Sequence, residues 1–168
     1  MSVPRRVVTG HDAAGRGVVI SDGPAAVSRL VADGASFYEL WATASSPAPI
    51  EAVEPEPVAE FDPVGPPAGG TRVRVVDMPP GTRSPMHRTE SVDYGIVLAG
   101  TLTLVLDGDE TTVGPGDLVV QRGTDHAWEN RGDDPARMLF VLLDGRFGDA
   151  LLQTLAPDVR SGLMHDLP

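Results

Sequence analysis

From Thr71 to Asp144 the chain is a close succession of short alternating runs, each ended by a turn signal. Few folds other than a closed β-structure accommodate that pattern. Thr71-Arg72-Val73-Arg74-Val75-Val76-Asp77-Met78 alternates and stops at Pro79-Pro80-Gly81. A run from Val92 to Leu98 follows, then Thr101 to Leu106, which closes in Asp107-Gly108-Asp109, a hairpin signal. Glu110 to Val113 leads to Gly114-Pro115-Gly116, and Asp117 to Gln121, His126 to Asn130 and Ala136 to Leu143 complete the series. Short strands with turn signals at roughly 8–12-residue spacing predict an all-β sandwich or barrel.

The flanks differ in kind. Residues 1–44 carry strand-like runs at Arg5–Thr9, Gly17–Ser21 and Phe37–Thr43, with a turn expected at Ser21-Asp22-Gly23-Pro24. Residues 45–70 are rich in proline, glutamate and aspartate, and read as an acidic linker or surface loop. Residues 71–145 hold the barrel. In 146–168, the apolar spacing of Phe147–Leu155 predicts a short helix on the barrel exterior, followed by a tail. There is no internal repeat, and 168 residues suit one domain.

Composition removes several chemistries. The chain has no cysteine, so disulfides and thiolate nucleophiles or ligands are absent. All 13 basic residues are arginine, which leaves no lysine for Schiff-base chemistry. A net charge of −11 repels phosphate backbones and anionic lipid, so neither nucleic acid nor membrane is an expected partner. No apolar run approaches the roughly 20 residues that span a bilayer. The first dozen residues are too short and polar for a secretory signal, so a cytoplasmic location is expected.

One polar constellation stands out. His87, Thr89 and Asp93 share parity, and on a continuous strand they would point to one face. His126, Trp128 and Asn130 share parity on a later strand. Two imidazoles and one carboxylate converging inside a barrel suit a divalent transition metal, with iron, manganese, nickel, zinc and copper all open.

These segments resemble the cupins. That family is marked by G-x5-H-x-H-x3-E-x6-G and G-x5-P-x-G-x2-H-x3-N. Gly81-x5-His87-x-Thr89-x3-Asp93-x6-Gly100 keeps every spacing of the first motif, with Thr89 in place of the second histidine and Asp93 in place of glutamate. The second is met by Gly116, Gly123, His126 and Asn130, with Gln121 in place of proline and a first gap one residue short. The resemblance implies an all-β jelly-roll barrel (a double-stranded β-helix) with N-terminal accessory strands, and commonly a homodimer.

It also implies site roles. His87, Asp93 and His126 are candidate metal ligands, and Asp93 and His126 candidate proton carriers. Asp93 could instead hold His87 in place. Thr89 and Trp128 are candidate substrate contacts, Trp128 as an aromatic wall. Arg88 and Arg122 are expected in surface salt bridges, with a substrate carboxylate as the alternative. Tyr94, of opposite parity, is expected outside or in a dimer contact. His11 and His165 are expected at the surface. The implied function is a metal-dependent enzyme acting on a small carbonyl, enol or carboxylate compound, of decarboxylase, dehydratase, isomerase or dioxygenase type. The alternative is a non-catalytic, metal-free small-ligand-binding barrel.

Overall fold

The computed structural model of the chain describes residues 1–52, 56–58 and 65–156. Among them, β1 (Arg5–His11), β2 (Gly17–Pro24), β3 (Val27–Leu30), β4 (Ser36–Thr43) and β5 (Thr71–Met78) come first. They are followed by β6 (Ser91–Ala99), β7 (Leu102–Leu106), β8 (Glu110–Val113), β9 (Leu118–Arg122), β10 (His126–Glu129), β11 (Ala136–Asp144) and one helix, α1 (Asp149–Thr154).

A six-stranded sheet runs in the order β3-β4-β5-β11-β6-β9 and faces a three-stranded sheet, β10-β7-β8. Apolar side chains from both sheets meet between them, including Val76, Met78, Val97, Leu104, Trp128 and Met138. This is the barrel that the strand series predicts. Arg137 stands opposite Asp77 in the β5–β11 ladder and donates two hydrogen bonds to its carboxylate, at 2.6 and 2.7 Å, which pins that register. Gly100 shows why its motif position needs glycine: φ is +69°, and a Cβ there would lie 2.7 Å from the Ala136 Cα.

The N-terminal region departs from expectation in two places. Ser21-Asp22-Gly23-Pro24 is not a turn but the end of β2, paired with β1 as far as Arg5↔Pro24. Pro24 is tolerated because it ends a strand in a two-stranded ribbon, where a missing N–H breaks nothing further along. The real turn is Asp12 to Arg16, where Asp12 Oδ1 accepts from the backbone N–H groups of Ala14 and Arg16. Strand β3, a four-residue edge strand, is also additional.

The described part of the acidic segment lies against this hairpin. Ala52 O accepts from His11 N, Arg6 pairs with Glu56, and Val58 is buried. The expected C-terminal helix is present but shorter, and none of its residues is buried. Instead Phe147 anchors the segment: its N–H donates to Glu90, and its ring lies where a Cβ on Gly123 would sit. The tail from residue 157, with His165, lies outside the described residues. No described helix is long and apolar enough to cross a membrane.

Candidate functional site

The two sheets leave between them a cavity of about 190 Å³. A cavity of about 150 Å³ accepts benzene, so this one has room for a single-ring organic molecule. Its apolar wall includes Phe37, Val76, Met78, Trp128, Phe140 and Leu142. Trp128 meets Phe140 edge to face, with centroids 5.8 Å apart, and its N–H donates from the backbone to nothing less than the Ser84 hydroxyl. His87, Thr89, Asp93 and His126 line the same cavity.

They reach it by a different backbone path from the one expected. The strand carrying Asp93 begins only at Ser91, and His87 forms an isolated antiparallel bridge with His126. The chain therefore passes from one sheet to the other between His87 and Ser91. The histidines stand together on the β10 side, with ring centroids 4.1 Å apart, while Asp93 stands on β6 across the cavity.

Each imidazole is held through Nδ1. His87 Nδ1 lies 2.9 Å from Pro85 O, and His126 Nδ1 lies 2.9 Å from Thr124 O. A carbonyl only accepts, so each Nδ1 carries the hydrogen and each Nε2 presents a lone pair. Burial holds both rings neutral. His126 is lowered to about 3 by desolvation and by the neighbouring His87, and His87 is lowered by desolvation.

Gln121, opposite Asp93 in the β6–β9 ladder, lies over His126. Its Nε2 is 2.7 Å from His126 Nε2 and 2.6 Å from Nδ1. Since Nδ1 is already a donor, the bond that satisfies both groups runs from the amide to the Nε2 lone pair. Gln121 stands where the cupin motif carries proline, and that departure was its only signal in the sequence.

Asp93 belongs to a chain of hydroxyls. Thr89 and Ser91 share a hydrogen bond of 2.8 Å, and Ser91 bonds the Asp93 carboxylate. Asp93 is buried, its Oδ1 has no hydrogen-bond partner, and desolvation pushes it up to about 6 against the pull of Ser91 and Arg74. Thus Asp93 sits in the field of Arg74 rather than beside the histidines.

Arg74 is the residue that sequence reasoning missed. It is 3% exposed and lines the cavity. Its signal was the parity it shares with Val76 and Met78 on β5, which turns both Arg72 and Arg74 inward. Arg88 and Arg122 do not line the cavity; Arg88 donates to Gly123 O. Asn130, fully buried, serves the frame: its amide donates to Met78 O and Asp134 O.

The donor set falls short of a transition-metal centre. Among the described residues, no three His, Cys, Asp or Glu side chains converge as metal ligands. The His126 lone pair is engaged by Gln121, and the Thr89 hydroxyl, bonded to Ser91, is a poor substitute for imidazole.

The family model described as "Cupin domain" matches residues 74–142. The chain is 38% identical over 154 residues to phomopsin biosynthesis cluster protein C' of Diaporthe leptostromiformis, covering 87% of this chain and 81% of that one. It is 36% identical over 166 residues to the cupin-domain-containing oxidoreductase fogC of Aspergillus ruber, covering 91% and 82%. Among solved structures, the Cnp3 cupin domain of Schizosaccharomyces pombe superposes with a TM-score of 0.53 at 14% identity, over 89% of this chain and 90% of that one, a likeness of fold alone.

Proposed function

The chain belongs to the cupin family, and on that premise we propose that it is a small-molecule enzyme moving a proton on an enolisable carbonyl compound held between its two sheets. The similarity to a biosynthesis-cluster protein and to a cupin-domain-containing oxidoreductase supports a small biosynthetic intermediate as substrate. The observation that carries the reading is the buried Asp93 Oδ1, which has no partner although it lines the cavity. A buried polar atom left unpaired is costly, and an active site is where such a cost is retained.

Asp93 is the proton carrier. A carboxyl group titrating at about 6 is close to the neutral range in which a general acid or base works best. His126, lowered to about 3, is too weak a base for that task. Its lone pair is held by Gln121, so the accepting part falls to His87: a neutral imidazole with its hydrogen on Nδ1 offers Nε2 to an enol hydroxyl. In the step, Asp93 takes a proton from the carbon beside the carbonyl and returns it at a second carbon, or leaves it with solvent. Isomerisation and dehydration share this abstraction, a β-hydroxyl leaving as water in the second; in a decarboxylation the carbon loses CO2 instead, and protonated Asp93 delivers a proton to it. No step is routed through a metal, because the donors present do not assemble one.

The test is exchange in D2O with two enolisable single-ring ketones, acetophenone and phenylpyruvate, followed as loss of the α-proton signal by NMR. Asp93→Asn is expected to slow the catalysed exchange by about 10²–10⁴-fold. Binding without exchange in the unaltered protein makes the barrel a ligand-binding module. Elemental analysis runs beside it: one equivalent of iron, manganese, nickel, zinc or copper, lost in both His87→Ala and His126→Ala, overturns this reading in favour of Lewis-acid catalysis.

We propose a homodimer on similar footing. Tyr94, Ile96 and Leu98 on β6 lie beside Val120 and Leu118 on β9, with pairs Tyr94↔Val120 and Ile96↔Leu118, on the sheet face turned away from the cavity. An exposed apolar face of this kind is a self-association surface.

A further inference from the structure

We propose that Arg74 seats an anionic oxygen of the molecule that fills the cavity, which assigns the substrate class as small single-ring carboxylates or acidic enols. The inference rests on reading the cavity as a substrate site, and it goes further in saying what the ligand must carry.

Three observations converge on Arg74. The first is unmet bonding capacity. Its Nε is buried and has no hydrogen-bond acceptor, and its Nη2 meets only Glu39, as an ion pair. An arginine cannot shed its proton to relieve this, since guanidinium stays charged in proteins. Burial does lower its basicity, and Glu39 works against that lowering.

The second is orientation. Arg74 Nη2 lies 2.9 Å from Glu39 Oε1, an ion pair that is not aligned as a hydrogen bond. Glu39 is fully buried and shared, its Oε2 lying 3.4 Å from Arg72 Nη1. Phe37 packs against the guanidinium, with Cζ 5.4 Å from the ring centroid. One partner on one side and a ring against the plane hold the fork still, so that little side-chain freedom is lost when an oxygen arrives.

The third is chemical surroundings. Around Arg74 the cavity is walled by Phe37, Val76, Trp128 and Phe140. An apolar surround strengthens a charge-assisted hydrogen bond and excludes the water that would compete for it. Asp93 acts on it through charge without a hydrogen bond between them, its Oδ1 being itself unpaired. A planar acid thus fits with its ring among the aromatic side chains and its oxygens on the guanidinium edge, in a volume of about 190 Å³.

The experiment uses benzoate and its neutral isostere benzamide as probes, with binding measured by calorimetry and by NMR shifts of the Trp128 indole. Benzoate is expected to bind the unaltered protein at least about tenfold more tightly than benzamide. Arg74→Met is expected to abolish that preference while leaving benzamide binding within about twofold. Arg74→Lys keeps the charge but not the fork, and is expected to restore only part of it. Should Arg74→Met fail to fold, Arg74→Met in a Glu39→Gln background replaces the carboxylate left with Arg72 by a neutral amide and keeps the comparison available. Equal binding of the two probes, or benzoate preference that survives Arg74→Met, overturns the role of Arg74 and leaves the substrate pocket standing. If neither probe perturbs Trp128, the pocket reading and the Arg74 assignment both fall.

Discussion

Part of each face of the six-stranded sheet carries the kind of residue that folding alone would place on the other. Inward, toward the cavity, stand Glu39, Arg72, Arg74, Ser91, Asp93 and Gln121, all buried. Outward, on β6 and β9, stand Tyr94, Leu98, Leu118 and Val120, all exposed, Leu118 at 57% and Val120 at 51%. A β-sheet with one covered face normally sorts the other way, apolar in and polar out. The inner inversion carries a stability penalty unless every charge finds a partner, whereas the outer one carries a solubility penalty unless something covers it. The proposed ligand would cover the inner inversion and the proposed second copy the outer one.

The largest effect comes from breaking the inner charge set. Glu39→Ala removes the carboxylate that Arg72 and Arg74 share in the barrel interior, and is expected to lose about 3–5 kcal/mol of stability. Denaturant unfolding at neutral pH measures it. Adding Arg74→Met to Glu39→Ala is expected to recover part of the loss, since a well-packed apolar side chain replaces an unpaired charge. A loss below about 1 kcal/mol would show that water already reaches these groups and that the interior is not the low-dielectric site described.

Asp93 gives a smaller effect with a distinctive pH signature. Its folded-state titration, raised from 3.8 to about 6, means that the fold holds on to a proton the unfolded chain has released. Its contribution to stability therefore falls as pH rises from about 4 to about 6, by about 3 kcal/mol at 1.36 kcal/mol per unit. His126, lowered from 6.5 to about 3, acts in the opposite sense, since the unfolded chain binds the proton, and stability rises with pH across the same window. The two slopes largely cancel between pH 4 and 6. His87, also lowered, adds to the His126 side. Asp93→Asn is thus expected to leave stability unchanged near pH 4 and to raise it by about 3 kcal/mol above pH 6. His126→Gln exposes the reverse, a stability that declines through pH 4–6. A flat difference between Asp93→Asn and the unaltered protein across pH 4–7 breaks the assignment.

These inner residues also show what the sequence could and could not reveal. The strand series and the spacing from Gly81 to Gly100 made the barrel readable, because side-chain alternation and turn chemistry are local. The cluster of His87, Thr89, Asp93, His126 and Trp128 around one cavity was foreshadowed by shared parity and by the motif spacings. The separation of Asp93 from the histidines was not, because it depends on the crossing between sheets at residues 88–90, where no periodic signal operates. Arg74 escaped for a related reason. In Arg72-Val73-Arg74-Val75-Val76 alternation is plain, but it does not say which parity faces the core, and charge argues for the wrong one. In the same way Ser21-Asp22-Gly23-Pro24 has strong turn composition, and only the pairing with β1 makes it strand.

The outer face gives the smallest change in stability and the sharpest change in assembly. Leu118 and Val120 are more than half exposed, so replacing both with serine removes little that the single chain buries; the expected shift is within about 0.5 kcal/mol. If two copies meet on this face, the same double variant converts a dimer to a monomer, which sedimentation velocity resolves directly. Salt separates apolar association from electrostatic association. Each copy carries a formal charge of −11, so two copies repel, and screening that repulsion should tighten the dimer as ionic strength rises from about 0.05 to 0.5 M. An interface built on ion pairs would loosen over the same range. A dimer that survives Leu118→Ser/Val120→Ser and weakens with salt places the interface elsewhere, and the outer face of β6 and β9 then needs another partner.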